Sequence, residues 1–106
     1  MEAKLAEFLK SGKDWERKGT SLPGVFILKM PTYRGTPARL AVELNPVDEV
    51  GRPTRKRGIL LRSAAELIDY KKILGDERLL NLLKNIDSVN PKPKVEGERK
   101  PDIIEL

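Results

Sequence analysis

The sequence predicts an α+β fold, a small antiparallel β-sheet of three or four strands with helices packed on one face. Three observations predict it. Between Val25 and Arg62 the apolar residues come in short runs separated by Pro- and Gly-containing turns. After Ser63 the apolar spacing changes to steps of three and four residues. The connections between consecutive strand-like runs are short, which favours antiparallel neighbours over crossovers.

Each element has its own signal. Residues 2–10 set Ala3, Leu5, Phe8 and Leu9 on one side at helical spacing, and Ser11-Gly12 stops that helix. Residues 13–22 are mostly polar around Trp15 and fit a loop or a short strand. Pro23-Gly24 opens VFILKM (25–30), whose β-branched and aromatic content reads as a strand. PTYRGTP (31–37) is punctuated as a turn by Pro31, Gly35 and Pro37. ARLAVEL (38–44) alternates, with Leu40, Val42 and Leu44 on one face and Arg39, Ala41 and Glu43 on the other. NPVDEVGRP (45–53) is a loop or hairpin tip, and residues 56–62 form a further strand.

Ser63 with Glu66 is a capping box opening a helix over 64–74, which Gly75 ends. Asp76 caps a second helix, 77–89, with Leu79, Leu80, Leu82, Leu83, Ile86 and Val89 at helical steps. This helix pair reads as a core layer or as a leucine-rich dimer face. Residues 1–90 thus read as one α+β domain. The Pro- and charge-rich stretch 91–106 reads as an extended tail whose Ile103, Ile104 and Leu106 dock on a neighbour.

Composition removes several function classes. The 106 residues include no Cys and no His, so disulfides, zinc knuckles and thiol chemistry are excluded and the commonest general base is missing. Asp48 and Glu49 near Glu43 match no metal motif, and GRPTRKRG is not a phosphate-binding glycine loop. We expect no enzyme, no cofactor and no metal. The second helix of the pair mixes Arg78 and Lys84 with Glu77 and Asp87, so it lacks the basic face of a major-groove reader. No segment approaches the roughly 20 apolar residues of a membrane helix, and MEAKLAEFLK lacks signal-peptide features. A cytoplasmic location is the expectation. Gln is absent while Lys, Arg and Glu abound, a thermophile-like composition.

The charge pattern points to a polyanion. Residues 1–62 carry 13 Lys/Arg against 7 Asp/Glu, and residues 63–106 carry 8 against 9, so the positive field belongs to the strand-rich part. Within it, VGRPTRKRGILLR (50–62) holds Arg52, Arg55, Lys56, Arg57 and Arg62 and no acid. Cations on an ordered element can follow a phosphate backbone in fixed register. Lys29, Arg34 and Arg39 lie in or beside the other strands, and Trp15 and Tyr33 are in the same half of the chain. Bases stack on such rings at roughly 1–3 kcal/mol each. Trp15 fits base contact or packing at a sheet edge equally, Tyr33 reads as an exposed turn residue, and Phe26 reads as core. Val25–Leu28 and Ile59–Leu61 are apolar on both faces of their strands. A subunit interface or a base-binding cleft would cover the second face.

The run LAVELNPVDEVGRPTRKRGILLRSAAELIDYKKIL, followed by LLNLLKNIDSVNP, resembles the ThermoDBP-related single-stranded DNA-binding proteins of thermophilic archaea over roughly residues 22–91. Its most distinctive piece is KRGILLRSAAEL. The resemblance implies a helix-backed antiparallel sheet bearing a cleft with a basic rim and an apolar floor, which binds single strands largely without sequence preference. It implies rim positions Arg39, Arg55, Lys56, Arg57 and Arg62 and floor positions Val25, Ile27, Ile59 and Leu61. It also implies a homo-oligomer. Some members carry a C-terminal leucine zipper; here a Pro-rich stretch stands in its place, so zipper pairing does not carry over. The expected partner is single-stranded DNA, with RNA as the alternative strand. The competing reading is a protein–protein interaction module whose basic residues serve solubility.

Overall fold

Four strands join in chain order, β1 (Arg17–Gly19), β2 (Val25–Met30), β3 (Arg39–Leu44) and β4 (Ile59–Leu61), to make one antiparallel sheet in the computed structural model, which describes residues 1–91. Three helices accompany them, α1 (Glu2–Ser11), α2 (Ala64–Leu74) and α3 (Glu77–Val89). The class is α+β, as expected. Of the expected 91–106 tail only Pro91 is described, and Ile103, Ile104 and Leu106 lie outside the described residues. The chain divides into two compact units, Met1–Tyr70 and a second that begins at Lys71.

In the first unit, strand pairing assigns the faces, because cross-strand partners share one. Val25, Leu44 and Ile59 form one row, and Lys18, Ile27, Val42 and Leu61 form the next row on the same face. The opposite face carries the row Gly19–Phe26–Glu43–Leu60 and the row Arg17–Leu28–Ala41. Helix α1 covers part of the first face. Its Phe8 is buried, and Lys18 Nζ lies 4.9 Å from the Phe8 ring centroid. Phe8 is the single buried helical side chain among the described residues. Lys29 reaches from β2 to the end of α1, where Nζ donates to the Gly12 carbonyl at 2.8 Å.

The turn between β2 and β3 closes in two residues. Tyr33 and Thr36 exchange both backbone hydrogen bonds, and Arg34 and Gly35 between them have φ of 45° and 80°. Two central residues at positive φ are what a two-residue hairpin of primed type requires, because that twist matches the strands. The fourth strand is shorter than expected. Residues 56–58 are not in the sheet, because their backbone turns to serve the opposite face instead.

The Ser63 half of the capping box forms at the start of α2, while the Glu66 carboxylate reaches one residue beyond the cap. Glu66 N–H donates to Ser63 Oγ at 3.1 Å, and Glu66 Oε1 accepts from Arg62 N–H at 3.3 Å. Asp76 caps α3 by accepting from Arg78 N–H at 2.9 Å. The Arg78 guanidinium grips the same carboxylate, and that contact first holds the Asp76 pKa below its ordinary value. Neither α2 nor α3 buries a side chain, and within the first unit α1 supplies the buried helical residue, Phe8. Leu80, Leu82, Leu83 and Val89 of α3 are exposed. Helical spacing reveals an apolar stripe, but it does not say what the stripe lies against.

Candidate nucleic-acid interface

The site is built around a buried carboxylate. Glu43, in the middle of β3, is fully buried. Four nitrogen donors converge on it. Arg17 from β1 gives Nε to Oε1 at 2.6 Å and Nη2 to Oε2 at 2.9 Å. Gly58 N–H donates to Oε2 at 2.7 Å, and Asn45 Nδ2 at 3.2 Å. Burial alone raises the pKa of this carboxyl. The Arg17 hydrogen bond, the Gly58 N–H, the Asn45 amide and the Arg17 charge outweigh it and hold the pKa below the ordinary value. A charge removed from water is tolerable only with this degree of pairing.

The same groups grip the basic segment by its backbone. Asn45 is buried, accepts from Arg55 N–H at 3.0 Å and donates to the Arg55 carbonyl at 2.8 Å. Arg17 Nη2 donates to the Lys56 carbonyl at 3.1 Å. Gly58 fits because its backbone presses on the Leu44 carbonyl, where a Cβ would collide. The Arg55 N–H and carbonyl, the Lys56 carbonyl and the Gly58 N–H are thus held, while the side chains of Arg55, Lys56 and Arg57 are exposed. Among the described residues, none of these three cations sits within salt-bridge distance of a carboxylate.

Arg57 meets Trp15, its guanidinium carbon 4.6 Å from the ring centroid. Trp15 is 48% exposed, so much of the ring faces solvent. Its backbone has φ of 65°, a left-handed conformation that costs a bulky residue about 1–3 kcal/mol. The Trp15 N–H donates to the Lys29 carbonyl at 2.7 Å, which fixes the strained residue against β2. Arg17 completes the neighbourhood, lying 5.5 Å from the Phe26 ring centroid. Phe26 is half-buried, in keeping with its reading as core.

Upstream, residues 46–54 fold on themselves. Asp48 Oδ1 accepts from the N–H groups of Val50 and Arg52, at 3.0 and 2.9 Å, and Oδ2 accepts from Arg52 Nε at 3.2 Å. The Arg52 N–H is the first cause of a lowered Asp48 pKa. Asp48 therefore organises its own loop, and no cluster of three metal-ligating side chains occurs among the described residues. At the β2–β3 hairpin, exposed Tyr33 stacks with Arg34, 5.2 Å from centroid to guanidinium carbon, and exposed Arg39 begins β3.

The structure brings Trp15 to Arg57 at the end of the Arg55–Lys56–Arg57 run and pairs Tyr33 with Arg34, while Arg39 stands apart at the start of β3. Three expected cations have other partners. Lys29 is 8% exposed and bonds the α1 terminus, so it is a packing residue and not a surface cation. Arg52 is paired with Asp48, and Arg62 lies 4.0 Å from Glu66. The floor residues Val25, Ile27, Ile59 and Leu61 share one face, but the basic segment is tied to the other face through Glu43. Leu61 is buried, Ile59 is exposed, and Ile27 lines an open groove of about 480 Å³ between α1 and β1–β2, with Phe8 and Lys18.

Arg17, Glu43 and Asn45 are site residues that the sequence pattern does not single out. Glu43 alternates with apolar neighbours, so period-two patterning assigns it to solvent. The detectable signal is the doubly apolar strands, which require a cover on each face; part of the second cover is the chain's own residues 55–58. No known family, curated protein or solved structure matches this chain.

Proposed function

We propose that this chain binds single-stranded nucleic acid, DNA first, largely without sequence preference. Arg55, Lys56 and Arg57 neutralise phosphates, and Trp15 contacts bases. One observation carries the reading. Three exposed cations project from a backbone held at residues 55, 56 and 58, beside a half-exposed aromatic ring. Cations carried on a held backbone can follow successive phosphates in register, and an open ring suits bases that are not already stacked in a duplex. The strained backbone at Trp15 supports it too, since such conformations cluster at functional sites. Tyr33, Arg34 and Arg39 offer a second contact along the same strand. The resemblance to the ThermoDBP-related proteins of thermophilic archaea points the same way and agrees with the thermophile-like composition; a cytoplasmic setting, expected from the sequence, is part of the proposal. This is a binding protein in our reading, not an enzyme.

The test is fluorescence anisotropy with a labelled oligo-dT of about 20–30 nucleotides, long enough to span several contacts, at two salt concentrations and with duplex competitor. We expect binding that weakens with salt and that duplex does not displace. No binding at low salt would reject the reading. A matched RNA strand separates DNA from RNA, since the 2′-hydroxyl is the difference.

Self-association is the second reading, favoured by the exposure of Leu80, Leu82, Leu83 and Val89 on α3. Monomers rarely expose contiguous apolar patches beyond a few hundred Å². Sedimentation would report a mass above 12.0 kDa that Leu83→Asp returns to the monomer value. A monomer at all concentrations would reject it.

A further inference from the structure

We propose that Glu43 and Asn45 are positioning residues of the nucleic-acid site, a buried polar clamp that fixes the spacing of Arg55, Lys56 and Arg57; this rests on the binding function proposed above. The geometry argues for it directly. Asn45 holds both polar groups of the Arg55 backbone, Arg17 holds the Lys56 carbonyl, and Glu43 holds the Gly58 N–H. Glu43 then links the three contacts, because it also bonds Arg17 and Asn45. The clamp draws on separate parts of the sheet. Arg17 belongs to β1, Glu43 to β3, and Gly58 precedes β4, with β1 and β4 at opposite edges. The basic segment is therefore tied across the sheet and does not hang from one edge of it.

A buried carboxylate under a phosphate-binding segment is paradoxical on charge alone. Removing it raises the net charge from the present +5 and should strengthen attraction to a polyanion. Positioning predicts the opposite sign. Without the anion the segment loses its fixed backbone, and ordering three cations on the strand must then be achieved at binding, at a cost in affinity. The two effects are separable because exposed Glu49, in the neighbouring loop, gives the same charge change without touching the clamp.

The experiment compares wild type, Glu43→Gln, Glu49→Gln and Asn45→Ala as full chains. One arm measures oligo-dT affinity and its salt slope. The other measures trypsin cleavage after Arg55, Lys56 and Arg57 without nucleic acid, with thermal melts to verify folding. We expect Glu43→Gln to bind about tenfold more weakly with a shallower salt slope and to be cut faster at the segment. Glu49→Gln should bind as tightly as wild type or tighter and be cut no faster at those three bonds. Should Glu43→Gln fail to fold, Asn45→Ala keeps the Arg17–Glu43 pair and carries the same expectation. Wild-type affinity in a folded Glu43→Gln or Asn45→Ala protein would overturn the proposal, as would unchanged trypsin cleavage. If wild type itself does not bind oligo-dT, the binding function fails and the role assigned to the clamp fails with it. If wild type binds and the folded clamp variants match it, the clamp alone is rejected.

Discussion

The Arg57 guanidinium lies over the ring of Trp15, 4.6 Å from its centroid, and joins the basic segment to a residue two positions before β1. Trp15 is the only tryptophan in the chain, so its fluorescence reports this site alone. We expect oligo-dT to quench it. Trp15→Ala should weaken binding by about 1–3 kcal/mol, the range for removing one stacked base, and Trp15→Phe should retain part of the affinity. Equal affinity in Trp15→Ala, measured by anisotropy, would remove the ring from the site.

Phosphate contacts carry no sequence information, so deleting them should be felt evenly. Arg55→Ala combined with Arg57→Ala is expected to weaken binding to oligo-dT and to a mixed sequence by the same factor. The slope of log affinity against log salt should flatten by about 0.7 for each phosphate no longer neutralised. Titrations at three salt concentrations check both statements; a slope equal to wild type would place these cations off the backbone.

Acid should weaken the fold through Glu43. Its folded pKa is depressed below the ordinary 4.5, so its ionised form contributes stability that is present above that value. As pH falls below 4.5 the unfolded state takes up a proton first, and the contribution disappears through the folded pKa. Thermal melts should therefore show wild type well above Glu43→Gln at neutral pH, with the gap closing in acid. A gap that does not depend on pH would mean that the carboxylate charge is not what stabilises.

Gly58→Ala should be destabilising by about 2–3 kcal/mol, the scale of an overpacked site with little room to relax. The added Cβ meets the Leu44 carbonyl, which is fixed within β3. Chemical denaturation measures the change. The exposed Gly19, where a Cβ meets nothing within 4 Å, makes the matched control, and Gly19→Ala should cost little.

Asp76→Ala removes the side-chain cap of α3 and should lower helix stability by about 1 kcal/mol. Amide exchange at the first turn, residues 77–79, is the sensitive measure. Unchanged exchange would show that the Asp76 carboxylate, which makes both the cap and the Arg78 contacts, does not order that end.

Local signals make most of the fold legible. The period-two run of β3, the Pro-Gly start of β2 and the capping signals of α2 and α3 all depend on near neighbours, and the elements fall where those signals set them. What stays hidden depends on distant partners. Glu43 reads as a solvent-facing position because nothing nearby in sequence announces Arg17 or Gly58. Lys29 reads as a surface cation because its acceptor is the end of a helix 17 residues earlier. The start of β4 is misplaced for the same reason, since residues 56–58 lead directly into an apolar run but are captured by side chains from β1 and β3. The basic cluster itself is visible as composition, whereas the ring it stacks on is only one of two aromatic candidates.

Glu43 also acts as a key for strand register. Sliding β3 by one residue against β2 would exchange Glu43 with Val42 or Leu44 and turn the carboxylate toward the α1 side of the sheet. There it would find none of its four donors, and Arg17 would face an aliphatic side chain. Apolar strands on their own tolerate such slips, because one aliphatic row resembles the next. A single acid among Leu40, Ala41, Val42 and Leu44 makes a one-residue slip costly, because it parts Glu43 from Arg17, Asn45 and Gly58, so the residue that organises the basic segment also favours the native pairing over its nearest alternative.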